Sequence, residues 1–296
     1  MKNLTLSLLC AGLITTTAIA EDICNGAFQA QNYQQSAACY VEQLKNEQTF
    51  HNLEMAGISY VNQGRYKEAL PYLKEAEKKA ITSSDYAMIY SWLSTTYGQI
   101  GNTIQELAYD MKVLDLSLKS EDRENIGAAY NNLGKYYDGQ KQHKKALEYY
   151  EKALENKEES ERAQTYGNMA VAYDNLNDPK HAEEMYLKAI EIDQQTGEYK
   201  SLGYQKSNLG IFYFTHNRYD EALTTLQESQ NISHNAGDIA TESFALSYLA
   251  TIDYQNGQIN QAKTKATDAL HLAKQSGESV IINKANKTWN LINGKK

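Results

Sequence analysis

Residues Gly127 to Leu154 read GAAYNNLGKYYDGQKQHKKALEYYEKAL, and their spacing decides the fold. Tyr130, Leu133, Gly134 and Tyr137 recur at three- and four-residue intervals, and so do Ala146, Tyr150 and Ala153. Such intervals describe two amphipathic helices joined by a turn, touching through small residues. Gly134 lets the helices approach closely, and Ala146 is small where the second helix crosses the first. The aromatic and aliphatic residues fill the space on either side.

This pattern resembles the tetratricopeptide repeat, and copies of it run through nearly all of the chain. The first copy is weak, with Cys24, Tyr33, Ser36 and Tyr40 in the slots, and reads as an atypical N-terminal repeat over residues 21–46. The second has Leu53, Ala56-Gly57, Tyr60, Gly64, Tyr66, Ala69, Leu73 and Ala76. Pro71 falls near the start of its second helix, where a local kink is the most to expect. The fifth has Met169-Ala170, Tyr173, Ala182 and Tyr186, with Pro179 in the first turn of its second helix, a tolerated place. The sixth has Leu209-Gly210, Tyr213, Ala222 and Leu226, and the seventh Leu249-Ala250, Gly257, Ala262 and Ala266.

The alanine slots fall at 69, 106, 146, 182, 222 and 262, and Gly197, Gly237 and Gly277 recur at intervals of 40. Units of this length resemble the long-helix class, seen in kinesin light chain and in bacterial regulators that sense peptides, with helices of about four to five turns. The resemblance implies an all-α, right-handed superhelical solenoid of about seven helix-turn-helix repeats, spanning about 50–275 after the atypical first one. A capping helix is expected over 278–292, with Trp289. One repeat domain, 21–296, would then follow a leader.

The third copy departs from the pattern. Ser94 takes the glycine slot, but Thr103, Glu106 and Asp110 stand where aromatic, alanine and aromatic are expected. Ile104, Leu107, Ala108, Met111 and Leu114 form an apolar stripe at helical spacing instead. The expectation is a second helix rotated by about one residue; the other reading has Glu106 and Asp110 facing a cationic partner.

Residues 1–20 read as a cleavable export signal: Lys2, a largely apolar Leu4 to Ile19, and small residues at Ala18-Ile19-Ala20, with the cut after Ala20. Thr15-Thr16-Thr17 and the short apolar run argue against a membrane span. Cys10 follows Leu9, where a lipid-anchored leader would carry a small residue. A periplasmic or secreted location is therefore expected. Export leaves Cys24 and Cys39, most simply one disulfide stapling the first helical pair, the alternative being two buried thiols.

The formal net charge is -8 and no basic stripe interrupts it, so a nucleic-acid or anionic-membrane surface is not expected. The six histidines are scattered without metal-ligand spacing, and no G-x-S-x-G, phosphate loop or HExxH occurs. Lys141, His143, Lys144 and Lys145 need only be a solvated turn. No catalytic residue, metal or cofactor is assigned, and the chain is not expected to be an enzyme.

Asn132, Asn168 and Asn208 each precede the Leu-Gly or Met-Ala pair of successive units. An amide donates to a peptide carbonyl and accepts from a peptide N–H, so amides in register can hold an extended backbone. Long-helix relatives grip peptides with asparagines at the matching place, and the resemblance implies the same here. Trp92 and Tyr248 replace asparagine before and after the ladder. Around it, Asn131, Lys135 and Asp138 are expected on the concave wall, then Gln164 and Asp174, then Tyr204, Ile211 and Phe214, then Phe244, Tyr248 and Tyr254. The wall turns from polar to aromatic toward the C-terminus, unless those rings simply pack between units. The expected partner is a protein or peptide. The rival expectation is a structural or self-assembling envelope protein that pairs with further copies of itself.

Overall fold

A computed structural model describes residues 22–294. The leader expected over residues 1–20, its cut after Ala20, and Cys10 lie outside the described residues. Within them the chain is helical, without strands: α1 (22–29), α2 (Tyr33–Gln43), α3 (Phe50–Asn62), α4 (Tyr66–Lys79), α5 (Ser83–Gln99), α6 (Thr103–Ser120) and α7 (Arg123–Gly139). There follow α8 (His143–Asn156), α9 (Ala163–Asn175), α10 (Pro179–Thr196), α11 (Tyr199–Thr215), α12 (Tyr219–Asn235), α13 (Ile239–Gln255), α14 (Ile259–Ser276) and α15 (Ser279–Asn293). A 3-10 turn, Glu159–Glu161, precedes α9. The chain forms two compact units, Met1–Tyr136 and Tyr137–Lys296, and the division falls inside α7.

The hairpins share one local device. Gln31, Gly64, Gly101, Lys141, Asn177, Asn217 and Gly257 all have positive φ, and each stands seven residues after the glycine slot of its repeat. A left-handed residue there reverses the chain after the first helix. Side-chain caps then start several second helices. Asn102 accepts from the Gln105 N–H, and Asp178 from the His181 N–H just ahead of Pro179 at the first position of α10. Gly197 and Gly277, in the left-handed conformation, end α10 and α14. Pro71 lies on the exposed side of an uninterrupted α4.

Packing within a pair follows the slots. A Cβ on Gly57 would come within 2.5 Å of Leu73 Cδ2, and one on Gly210 within 2.7 Å of Leu226 Cγ. The side chain that leans on each glycine is thus the one sixteen residues on, while the alanine twelve residues on, Ala69 or Ala222, is fully buried beside it. The steps of 40 arise where both helices of a pair have 17 or 18 residues, as in α11–α12 and α13–α14. The shorter first step, from 69 to 106, crosses the short α4, with 14 residues, before the 17 of α5.

The third repeat keeps this register, which corrects the expected rotation. Asp110 occupies the slot of Leu73 and Leu226 and is only 4% exposed; Tyr109 beside it is 3% exposed. The Ser94 hydroxyl donates to Asp110 Oδ1 at 2.5 Å, so a hydrogen bond replaces the glycine–leucine contact. Ile104 and Met111, the core of the expected stripe, are 76% and 58% exposed. Tyr109 decides the matter. Its ring fills the core of the first unit against Tyr90 and Tyr97, and its hydroxyl meets Lys74 and Glu77. A large aromatic buries more apolar area than Ile104 would, so it carries Asp110 inward with it.

The Cys24 and Cys39 sulfurs lie 1.99 Å apart, a disulfide that joins α1 to α2. Closing that loop contributes about 3 kcal/mol in the chain-entropy model.

Candidate functional site

In the second unit the first helices of the repeats, α9, α11 and α13, carry most of the expected binding residues. Their buried sides build the core: Leu202, Leu209 and Phe212 of α11 and Ala245, Leu249 and Ile252 of α13 pack with Met185, Tyr186 and Leu226. The opposite positions are thereby turned outward, because a helix that buries one stripe presents the residues between its buried turns. Tyr204 is 54% exposed, Gln164 is exposed, and Asn168, Asn208, Phe214, Phe244 and Tyr248 are half-buried.

A cavity of about 630 Å³ opens between α11, α13 and the start of α15. Tyr204, Asn208 and Phe244 line it together with Ser207, Val280 and Ile281. Val280 is 70% exposed, whereas Ser207 is 1% exposed with its Oγ lacking a hydrogen-bond partner. Among the described residues the Asn208 amide makes no hydrogen bond, so its donors and acceptor are available. Asp238 and Glu278 also line the cavity, and Asp238 is already engaged as the cap that accepts from the Thr241 N–H.

An aromatic wall adjoins it. Tyr248 meets Phe244 and Phe214 edge-to-face, at 5.6 and 5.4 Å between centroids. The Lys284 ammonium of α15 stands over the same tyrosine, 3.5 Å from the ring centroid. Burial pushes this ammonium down to about 8, helped by the like charge of Lys287.

Not all expected residues join this surface. Tyr254 packs against Ala250, Ala262, Ala266 and Ile292 and fills space between helices, and Ile211 packs against the main core of the unit. Asp174 pairs with His216 at 3.3 Å, and burial raises its carboxyl pKa. Asp138 Oδ1 and His143 Nδ1 are hydrogen-bonded at 2.6 Å.

Asn131, Asn132 and Lys135 belong to the first unit. Asn131 is 3% exposed, which removes it from any ligand surface: it faces the packed side of α7 together with Ile126 and Leu133. Asn132 and Lys135 line a small polar recess of about 270 Å³ with Ser94, Gly98, Glu106 and Asp110. Burial raises the carboxyl pKa of Glu106, and it pushes that of Asp110 up to about 6 against the opposing Ser94 hydrogen bond. The ladder of three asparagines is therefore shared out: one in the first unit, two in the second.

The contribution of α15 was missed in the sequence. Its expected role was to cover the last repeat, which Ala285 and Ile292 do. Val280 and Lys284 lie one turn apart beside the stripe of half-buried Ile281 and buried Ala285, Thr288 and Ile292, a position that helical spacing alone would have marked as a helix edge. Among the described residues no helix is long and apolar enough to cross a membrane, and no cluster of three or more metal-ligating side chains occurs.

Tetratricopeptide repeat family models match residues 85–159 and 163–196. A search of curated proteins finds no match. Among solved structures, a Rap protein complexed with competence and sporulation factor is similar with a TM-score of 0.60 at 15% identity, over 95% of this chain and 98% of that one. A signal-transduction ATPase with a tetratricopeptide repeat sensor from Pyrococcus horikoshii gives 0.64 at 17% identity, over 88% of this chain and 40% of that one. The Cut9–Hcn1 hetero-tetramer of the APC/C gives 0.62 at 14%, covering 90% and 48%. This chain thus spans less than half the length of the last two, and the likenesses establish the fold. With the slot register kept through successive hairpins and the family models matching residues 85–159 and 163–196, the chain carries tetratricopeptide repeats.

Proposed function

We propose that the protein is an interaction scaffold whose second unit holds an extended peptide, or a disordered segment of another protein, along α9, α11 and α13. The observation that carries this reading is the cavity where Tyr204, Asn208 and Phe244 converge. It offers an unpaired amide for a peptide backbone next to apolar walls for one side chain. The solved Rap complex, with its competence and sporulation factor, lends the same fold a precedent for holding a factor. We further propose export with a cut after Ala20, supported by the apolar start of the sequence and by the Cys24–Cys39 disulfide. A mature chain beginning at Glu21, read by N-terminal sequencing from the cell envelope or medium, is the expected result; an uncut chain in the cytoplasm refutes it.

The test of the scaffold is photocrosslinking in the native cell, with the probe at Tyr248 and a control at Lys152, which is exposed on α8. A discrete protein adduct from Tyr248 alone is the expected outcome, and Asn168→Ala with Asn208→Ala should weaken it while helicity and melting stay unchanged. Adducts only to a second copy would replace the scaffold by self-assembly. A double variant that unfolds would make the asparagines structural.

A further inference from the structure

Lys284 is, among the described residues, a half-buried cation without a counter-ion. Among the described residues its partners are the face of the Tyr248 ring and the like charge of Lys287, and no carboxylate pairs with it. Taking an ammonium partly out of water without a negative partner is costly, and a ring face repays only a fraction of that cost. The group is therefore poised to gain from any carboxylate that reaches it, more than an exposed lysine such as Lys287 would.

Its position relative to the cavity restricts what can bring that carboxylate. Val280 and Ile281 line the cavity, and Lys284 follows one turn later on the same helix, about 5–6 Å along the axis. Phe244 and Tyr248 repeat the same step on α13. In an extended chain, side chains on one face recur every second residue, about 6.6–6.8 Å apart. The cavity itself disfavours an anion, because Asp238 and Glu278 line it. Its apolar walls, Phe244, Val280 and Ile281, instead suit an aliphatic or aromatic side chain.

We propose that the second unit selects extended segments in which an apolar residue and an aspartate or glutamate are separated by one residue. The apolar side chain fills the cavity, the side-chain carboxylate meets Lys284 above Tyr248, and Asn208 holds the backbone between them. This rests on the peptide-holding reading above and adds the chemistry of the occupant.

The experiment uses the full mature chain and fluorescein-labelled octapeptides, N-acetylated and C-amidated, each with one leucine and one glutamate at varied spacing. Tightest binding is expected at a spacing of two. Glutamine in place of that glutamate should weaken binding about tenfold or more, as for a hydrogen bond to a charged group. Lys284→Gln should erase the preference, so that Glu and Gln peptides bind alike, whereas Lys287→Gln and Lys284→Arg should retain it. Should Lys284→Gln fail to fold, the Glu-against-Gln comparison on the unaltered protein still decides. Peptides that bind without preferring an acid, or a preference that survives in Lys284→Gln, overturn this inference and leave the scaffold standing. Binding that needs only a free C-terminal carboxylate on acid-free peptides overturns the side-chain assignment. If no peptide binds, the peptide-holding reading falls and the inference with it.

Discussion

Replacing Asp110 by asparagine should stabilise the first unit at neutral pH and leave it unchanged in acid. Burial lifts this carboxyl from 3.8 to about 6, with the nearby Glu106 carboxylate adding to the effect and the Ser94 hydrogen bond opposing it. The folded state therefore binds this proton more tightly than the unfolded chain. The stabilisation is fully present below pH 3.8, is lost as pH rises toward 6, and above that the buried charge is a standing cost. A rise from 3.8 to about 6 corresponds to about 3 kcal/mol, an upper figure because Glu106 titrates in the same recess and takes part of the effect. Asparagine has nearly the same shape as the protonated acid and can still accept from the Ser94 hydroxyl. The readout is urea unfolding followed by Trp92, which packs in the core of the first unit, in a Trp289→Phe background so that no other tryptophan contributes. Repeat arrays can unfold unit by unit, which makes a probe inside the affected unit necessary. Asp110→Asn should gain roughly 1–3 kcal/mol at pH 7.5 and about nothing at pH 4. An equal effect at both values, or a loss at pH 7.5, would refute the reasoning. It would mean that the carboxylate is held charged in the fold, with Lys135 of the same recess the cation to do so.

Two backbone predictions test the packing register. Gly210→Ala should cost about 1–3 kcal/mol, because the new methyl meets Leu226 Cγ at 2.7 Å and the Leu226 backbone nitrogen at 3.3 Å, and this outweighs the gain in helix propensity. Gly139→Ala, with nothing within 4 Å of the added carbon, should be neutral or stabilising; thermal melts of the two variants would separate packing from propensity. Lys141 holds φ at 59° in the turn where Gly64 and Gly101 stand in other repeats. Lys141→Gly should accordingly stabilise by about 1 kcal/mol, and a lower melting point would show that the lysine side chain is needed there.

Most of the fold could be read from the sequence because it rests on local, repeated requirements. A glycine or another small residue, an alanine twelve positions later and in most repeats a bulky residue sixteen positions later define the regular hairpins. Every hairpin that keeps those slots was placed correctly, down to the proline at the first position of α10. The third repeat was misread for the same reason. Counting apolar residues favoured Ile104, Leu107, Met111 and Leu114, whereas one tyrosine, Tyr109, fits the core better than the whole stripe. An apolar stripe records an average preference, and packing is decided by the volume of particular side chains against particular neighbours.

For the site, the sequence could mark which residues leave the core but not which of them meet. Tyr204, Asn208 and Phe244, expected on the concave wall, are exposed or half-buried on α11 and α13 and line one cavity. The sequence also grouped Asn131 with them, although that residue is buried, and Tyr254, which packs against Ala262 and Ile292. Helical periodicity leaves about one residue of uncertainty in orientation, enough to turn an edge residue inward. What the sequence by itself determined was the repeat, its hairpins and the outward faces, since these follow from spacing within about 40 residues. Only the tertiary structure decided that α15 closes a cavity with Val280 and Ile281 and sets Lys284 over Tyr248, with no carboxylate paired to it among the described residues. That arrangement joins side chains from α11, α13 and α15, and no local spacing specifies how far apart three packed helices bring their side chains.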